Sequence, residues 1–342
     1  MAFVSAKSVE TDEWRSIILF GLNVATYKFA LAKSLIELGR DEQEVVSLED
    51  LAVPFAKHLC QHLDEVDTQG TFRHSRFLDA CRFYNAGKIQ HDELITATAL
   101  LGFVNVIDAF HHLRGADTST RFFIDERKTS NGGIRLTDTL LQLAHSTESH
   151  NYFSEIEARW RLVETAWESR RAGDPMTVLY DSPRELLVPA LLGKRKPIAE
   201  VRPALNGYQK GHCFYCYRPI LIVPDSSDPA DVDHFFPHVL MSRGLPVDLD
   251  GVWNLVLACQ ECNRGTGGKM AAVPAVEYLE HLRLRNEYLI WSHHPLRDTL
   301  MASTGDNPAS RRRFLRTVWD MTAESSVRTD WRPPDRGRSV LG

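Results

Sequence analysis

The residues of this chain that could do chemistry cluster between positions 213 and 269. Two Cys-x-x-Cys pairs, Cys213–Cys216 and Cys259–Cys262, bracket Asp233-His234 and Asn254, and Asn263 directly follows the last cysteine. Two residues between paired cysteines let one tight turn aim both sulfurs at a single ion, and four thiolates suit tetrahedral zinc. A rubredoxin-type iron site would use the same donors. Either ion would be structural, because four thiolates leave no position for a substrate. The 42 residues between Cys216 and Cys259 exceed the gap of a simple zinc ribbon, so the Asp-His pair sits in an insert. Phosphodiester cleavage needs an activated water, a neutralised phosphate charge and a stabilised leaving oxygen. His234 is of the type that deprotonates water near neutral pH. Asp233 offers a hard oxygen ligand for magnesium or manganese, and Asn263 a neutral one. Asn254 is expected to orient, its side chain pinning the loop that carries His234.

Nearby residues have two readings each. Arg264 and Lys269 are candidates for contact with phosphates, or solvated helix charges. His238 reaches a metal or phosphate, or merely starts a helix. His111-His112 and His293-His294 are read as structural or surface features. Arg311-Arg312-Arg313 with Arg316 would track a nucleic-acid backbone or form a solvated basic helix. Cys60 and Cys81 lie in helical patterns and are expected to fill core.

Apolar spacing predicts one long helix over 12–39 and a second from Ser47, where Asp50 three residues on makes a variant capping box, to about 63. Further helices are expected over 75–85, 92–104 and 106–113. Segments 121–126 and 134–136 flank SNGG as a hairpin. Helices follow over 138–145 and 154–171, then strand-like pieces at 178–180 and 185–188. Beyond a boundary near Lys194-Arg195-Lys196-Pro197 come a helix ending around Gln209, a β-rich span to Pro237, a helix carrying Cys262 and Asn263, and a helix over 276–289. Ser292 is expected to cap another, and an Arg-rich helix starts near Arg311, trailing into a Pro/Gly/Arg tail.

Hydrophobic content of 43%, charged content of 25% and a net charge of −5 are those of an ordinary soluble globular protein. Residues 1–200 carry 23 Lys+Arg against 29 Asp+Glu, whereas 201–342 carry 17 against 16, so a phosphate-binding patch belongs to the second part. The apolar stretch over 17–24 is too short to span a bilayer and lacks the flanks of a signal peptide. A cytoplasmic location without membrane insertion is expected, and there six cysteines argue for metal or free thiols over disulfides.

CFYC, DVDHFFP, WNLVLACQECN and the downstream Lys269 resemble the HNH endonucleases of the ββα-metal fold, in the subtype clipped by a four-cysteine zinc site. The resemblance covers roughly 209–270. It implies His234 as general base, Asn254 as the middle residue of the name, and Asn263 where the last histidine often stands. Asp233 matches the metal ligand that precedes the base. DVDH followed by Asn-Arg-Gly is also similar to the HNH module of the RNA-guided CRISPR effector nuclease. In this chain, however, the stretch between Pro237 and Trp253 lacks the usual paired glycines, and GTGG lengthens the link from Asn263 to Lys269.

The expected fold is therefore α+β: a mainly helical domain over 1–195, a small ββα-metal HNH domain with a four-cysteine zinc site over 196–291, and C-terminal helices with a basic tail over 292–342. The expected function is metal-dependent hydrolysis of DNA, with structural Zn2+ and a catalytic Mg2+ or Mn2+ held by Asp233 and Asn263. Cleavage of RNA is the alternative, as is a non-catalytic zinc module binding nucleic acid or protein. By analogy with standalone proteins of this kind, a role in prokaryotic anti-phage defence is expected, with partner proteins met through the N-terminal domain.

Overall fold

The structure, a computed structural model, describes residues 9–334 except 21–22, 73, 114, 131, 172–175, 190–197, 224–227, 324 and 326. It is a mixed α+β protein, largely helical with small antiparallel sheets. The chain divides between Asp174 and Pro175 into two compact units. The Lys194–Pro197 segment, expected as the boundary, lies outside the described residues.

The first unit holds helices α1 (Val9–Leu19), α2 (Tyr27–Arg40), α3 (Leu48–Glu65), α4 (Arg76–Asn85), α5 (His91–Leu101), α6 (Val106–Ala109), α7 (Asp138–His145) and α8 (Ser149–Arg171). Strands β1 (Val45–Ser47), β4 (Phe123–Asp125) and β5 (Gly133–Leu136) form a sheet in the order β1-β5-β4, and β2 (His112–Leu113) pairs with β3 (Ala116–Asp117). Ser47 and Ser75 cap α3 and α4 by accepting hydrogen bonds from the amides of Asp50 and Leu78, which satisfies donors the helix itself leaves orphaned.

Residues 12–39 are two helices rather than the one expected. Thr26 N donates to Gln69 O at 3.1 Å and Thr71 N to Val24 O at 2.9 Å, so pairing with 69–71 draws 24–26 out of the helix. The helix expected over 106–113 is likewise cut short, since His112 and Leu113 enter a hairpin.

Phe29, Phe55, Phe122 and Trp160 fill the core of this unit, together with Cys60 and Cys81. Inside it, His62 stacks on Trp160 at 3.6 Å between ring centroids. The His62 ring nitrogens lie 2.8 Å from Glu164 and 3.3 Å from Glu157. Burial alone would push the imidazole down, but its hydrogen bonds to Glu157 and Glu164 win and raise it above the ordinary 6.5. This protonation therefore stabilises the fold below pH 6.5, and the contribution is lost as pH rises through the raised value.

The second unit starts with β6 (Val178–Asp181), β7 (Leu186–Pro189) and β8 (Ala199–Glu200), antiparallel in that order. Helix α9 (Val201–Gln209) follows. Then come β9 (Asp231–His234), α10 (Val239–Ser242), a 3-10 turn at Val252–Asn254, β10 (Leu255–Ala258) and α11 (Gln260–Arg264). The helix carrying Cys262 and Asn263 is thus only five residues long. Helices α12 (Val276–Trp291), α13 (Arg297–Thr304) and α14 (Pro308–Ala323) complete the unit. Ser292, expected to cap the next helix, instead ends α12 and donates to Leu289 O.

Helix α12 buttresses the turn before β10. The buried Arg285 guanidinium donates to the carbonyls of Val252, Trp253 and Leu255, gathering three backbone acceptors of the turn on one charged donor. Arg311 on α14 makes a two-pronged ion pair with Glu287 on α12, at 2.8 and 2.7 Å. Phe314 on the same helix packs edge-on against Trp253. Among the described residues no helix is long and apolar enough to cross a membrane.

The histidines give a direct check on the packing of the first unit. Burial, with the Arg121 charge nearby, pushes the His111 imidazole down to about 4. By NMR, His62 should titrate above 6.5 and His111 far below it; the reverse order would contradict the buried Glu157–His62–Glu164 arrangement.

Candidate functional site

The four cysteine sulfurs converge. All lie within 4.8 Å of one another, and Cys216 Sγ is 3.7 Å from Cys259 Sγ. With zinc–sulfur bonds of about 2.3 Å, a tetrahedral cage has edges of about 3.8 Å, so the spacing fits a zinc ion. The thiols are free of disulfides, and three of the four are buried. Hydrogen bonds between neighbouring thiols hold Cys259 below the ordinary thiol value and push Cys262 above it, as expected of sulfurs competing for protons where a dication would displace them.

The cage is assembled by local backbone chemistry. In the first knuckle Tyr215 N donates to Cys213 Sγ at 3.4 Å; in the second, Cys262 N donates to Cys259 Sγ at 3.4 Å. Gln209, at the end of α9, aligns the two. Its side chain donates to Leu257 O at 2.7 Å and to His212 O, and accepts from Leu257 N at 2.8 Å. Phe214 N also donates to Leu257 O. The first knuckle is thereby stitched to β10, the strand that runs into the second.

Strand β9 pairs antiparallel with β10, His234 opposite Leu255 and Asp233 opposite Val256. Side chains of a strand alternate between faces, so Asp231 and Asp233 share one face and His234 takes the other. That alternation decides the partners. Asp233 Oδ2 accepts from Tyr215 Oη at 2.5 Å, and Asp233 Oδ1 accepts from Lys269 Nζ at 3.0 Å. Tyr215 belongs to the first knuckle, and Lys269, whose own amide donates to Cys262 O at 2.7 Å, follows the second. Asp233 therefore ties β9 to both knuckles. Beside it, burial pushes the Tyr215 hydroxyl well above its ordinary value.

Two expectations for this face change, those for Asp233 and Lys269. Asp233 does not present free oxygens for a cation, because both are hydrogen-bonded and a buried ammonium neutralises the carboxylate. Asn263 Nδ2 donates to Asp231 at 3.0 Å, on the same face of β9. Lys269 is only 1% exposed, with Nζ also donating to His234 O at 2.7 Å, so it reaches no phosphate. GTGG makes that burial possible: a Cβ on Gly268 would meet backbone atoms of Gly265 at 2.8 and 2.9 Å, and Gly267 has φ +77°. Arg264 is exposed and donates to Asp231 at 3.0 Å.

On the opposite face, His234 Nε2 lies 2.8 Å from Asp250 Oδ1, with the other Asp250 oxygen 3.5 Å from His238 Nε2. His238 also heads α10. The Tyr180 ring stands 5.7 Å from that of His234. Burial lowers the His234 imidazole from 6.5, and the hydrogen bond to Asp250 only partly restores it. The ring is therefore neutral at pH 7. The network assigns its proton to Nε2, donated to Asp250, which leaves the Nδ1 lone pair available.

Asn254 does what its position suggested. Wholly buried, it accepts from Phe236 N at 2.8 Å and donates to Phe236 O at 3.0 Å and to Leu249 O at 2.8 Å. It thus clamps the segment after His234 to the segment before Asp250. His293-His294 takes no part: His294 Nδ1 accepts from Leu296 N at the turn into α13.

Sequence reasoning missed Asp250, Tyr215, Gln209 and Arg285. Tyr215 carried the only local signal, an aromatic inside a cysteine knuckle.

If Asp233 is a tie, its removal should act on stability. Asp233→Asn keeps the shape but leaves Lys269 buried without a counter-charge, a loss of about 3–5 kcal/mol for a broken buried pair. Chemical denaturation of the zinc-loaded protein should show that drop; an unchanged midpoint would refute the tie. Compared with protein-family models, with curated proteins and with solved structures, the chain matches none.

Proposed function

We propose that the unit beginning at Pro175 is a phosphodiesterase of HNH type acting on DNA, with His234 as its general base. The observation that carries this reading is the Asp250–His234 pair. An imidazole neutral at pH 7, fixed at Nε2 by a carboxylate and open at Nδ1, is what proton abstraction from water requires. In that role Nδ1 takes a proton from a water whose oxygen attacks phosphorus, and the bond from phosphorus to the leaving oxygen breaks. Asp250 keeps the ring in the right tautomer and favours the imidazolium that forms. Asn254 holds both residues in register, and the four-cysteine cage stiffens the strand pair beneath them.

Exposed Arg264, on the short helix after β10, is placed to exchange its bond with Asp231 for one with a phosphate. No step is assigned to Mg2+ or Mn2+, because both Asp233 oxygens already have protein partners. The order of antiparallel strands, short helix and flanking Cys-x-x-Cys pairs supports the family resemblance. RNA remains the second substrate, since a base that activates water reads no 2′-hydroxyl. A role in anti-phage defence, with protein partners met through residues 4–174, rests on analogy alone.

Plasmid DNA and a single-stranded RNA, each incubated with and without added Mg2+ or Mn2+, test the reading. His234→Ala should lose about 10²–10⁴-fold in rate with zinc content unchanged, as expected for loss of a general base. Wild-type activity should fall as pH drops below 6.5 and His234 becomes protonated, and Asp250→Asn should slow cleavage at every pH. Equal cleavage by wild type and His234→Ala would overturn His234 as the base, and no cleavage by wild type on either substrate would leave the non-catalytic zinc module as the better reading.

A further inference from the structure

The carboxylate that the HNH resemblance assigns to a divalent cation already has a cation, and it is part of the chain. Lys269 Nζ donates to Asp233 Oδ1 at 3.0 Å and to His234 O at 2.7 Å. The ammonium therefore sits between two hard oxygens, one from each residue of the Asp-His pair. Neither side chain of the ion pair is open to solvent, with exposures of 0% for Lys269 and 6% for Asp233. The second Asp233 oxygen is taken by Tyr215 Oη, and the amide donor of Asn263 by Asp231. Lys269 is also held from its own backbone, whose amide donates to Cys262 O.

We infer that Lys269, as a fixed ammonium, occupies the position beside Asp233 in which the HNH resemblance would place a metal ion. A metal ion bound there would have to expel a buried lysine and leave it without a counter-charge, which disfavours exchange. The built-in charge also grips the backbone carbonyl of His234, so Lys269 is a positioning residue for the proposed base as well as the partner of Asp233. The inference rests on the HNH reading of this segment, but its test needs no substrate and so can fail or succeed apart from any cleavage.

The test uses the full chain with its zinc site loaded, titrated with Mn2+ and followed by electron paramagnetic resonance. Wild type should bind no Mn2+ that depends on Asp233. Lys269→Met vacates the volume between Asp233 Oδ1 and His234 O, two oxygen donors suited to a hard ion, and should gain one Mn2+ per chain. The double variant Lys269→Met/Asp233→Asn should lose that gain. One Mn2+ bound by wild type and lost on Asp233→Asn would overturn the inference, as would a folded Lys269→Met that gains no site. Should Lys269→Met fail to keep its zinc, the wild-type protein still decides. Mn2+ bound at Asp233 would broaden the Lys269 ammonium resonances beyond detection, which contradicts the inference, whereas unchanged resonances support it.

Discussion

Convergence of four sulfurs separated by a long insert is the constraint on which the rest of the second unit depends. Cys213 and Cys216 come from a turn after α9, and Cys259 and Cys262 from the start of α11; nothing local brings these turns together. The Gln209 side chain does much of that work by bonding both backbone groups of Leu257. Once the knuckles meet, β9 has one place to lie. Tyr215 from one knuckle and Lys269 beyond the other close on Asp233, and the strand is fixed in register and in the facing of its side chains.

Facing, in turn, separates two kinds of chemistry. On the Asp231 and Asp233 side of β9 both carboxylates are engaged, Asp233 buried with Tyr215 and Lys269 and Asp231 nearer the surface with Asn263 and Arg264. The His234 side opens toward Asp250 and His238 and leaves a ring nitrogen unengaged. Under the proposed function the first side holds and the second side acts. Neighbours in sequence thus have unrelated duties, because a strand turns consecutive residues away from each other.

Much of the fold was readable because its signals are local. Ser47 announced a helix start through its cap, and the segments around SNGG formed the expected hairpin. The division of residues 12–39 was not readable, since it depends on 69–71 competing for backbone hydrogen bonds. At the site, the cysteines and the clamping role of Asn254 could be read from spacing and residue type. The fate of Lys269 could not, because charge suggests the surface while the turn through Gly267 and Gly268 carries it inward. Asp250 was hidden for a similar reason: nothing in its own surroundings marks it until the chain folds back on His234.

The central claim is that one metal ion, held by four thiolates, closes the two knuckles and so sets the strand that carries His234. X-ray absorption at the zinc edge of the purified protein measures this directly. The account predicts one zinc per chain with four sulfur neighbours at about 2.3 Å. Nitrogen or oxygen in that shell, or a chain that keeps its fold with no metal bound, would contradict it.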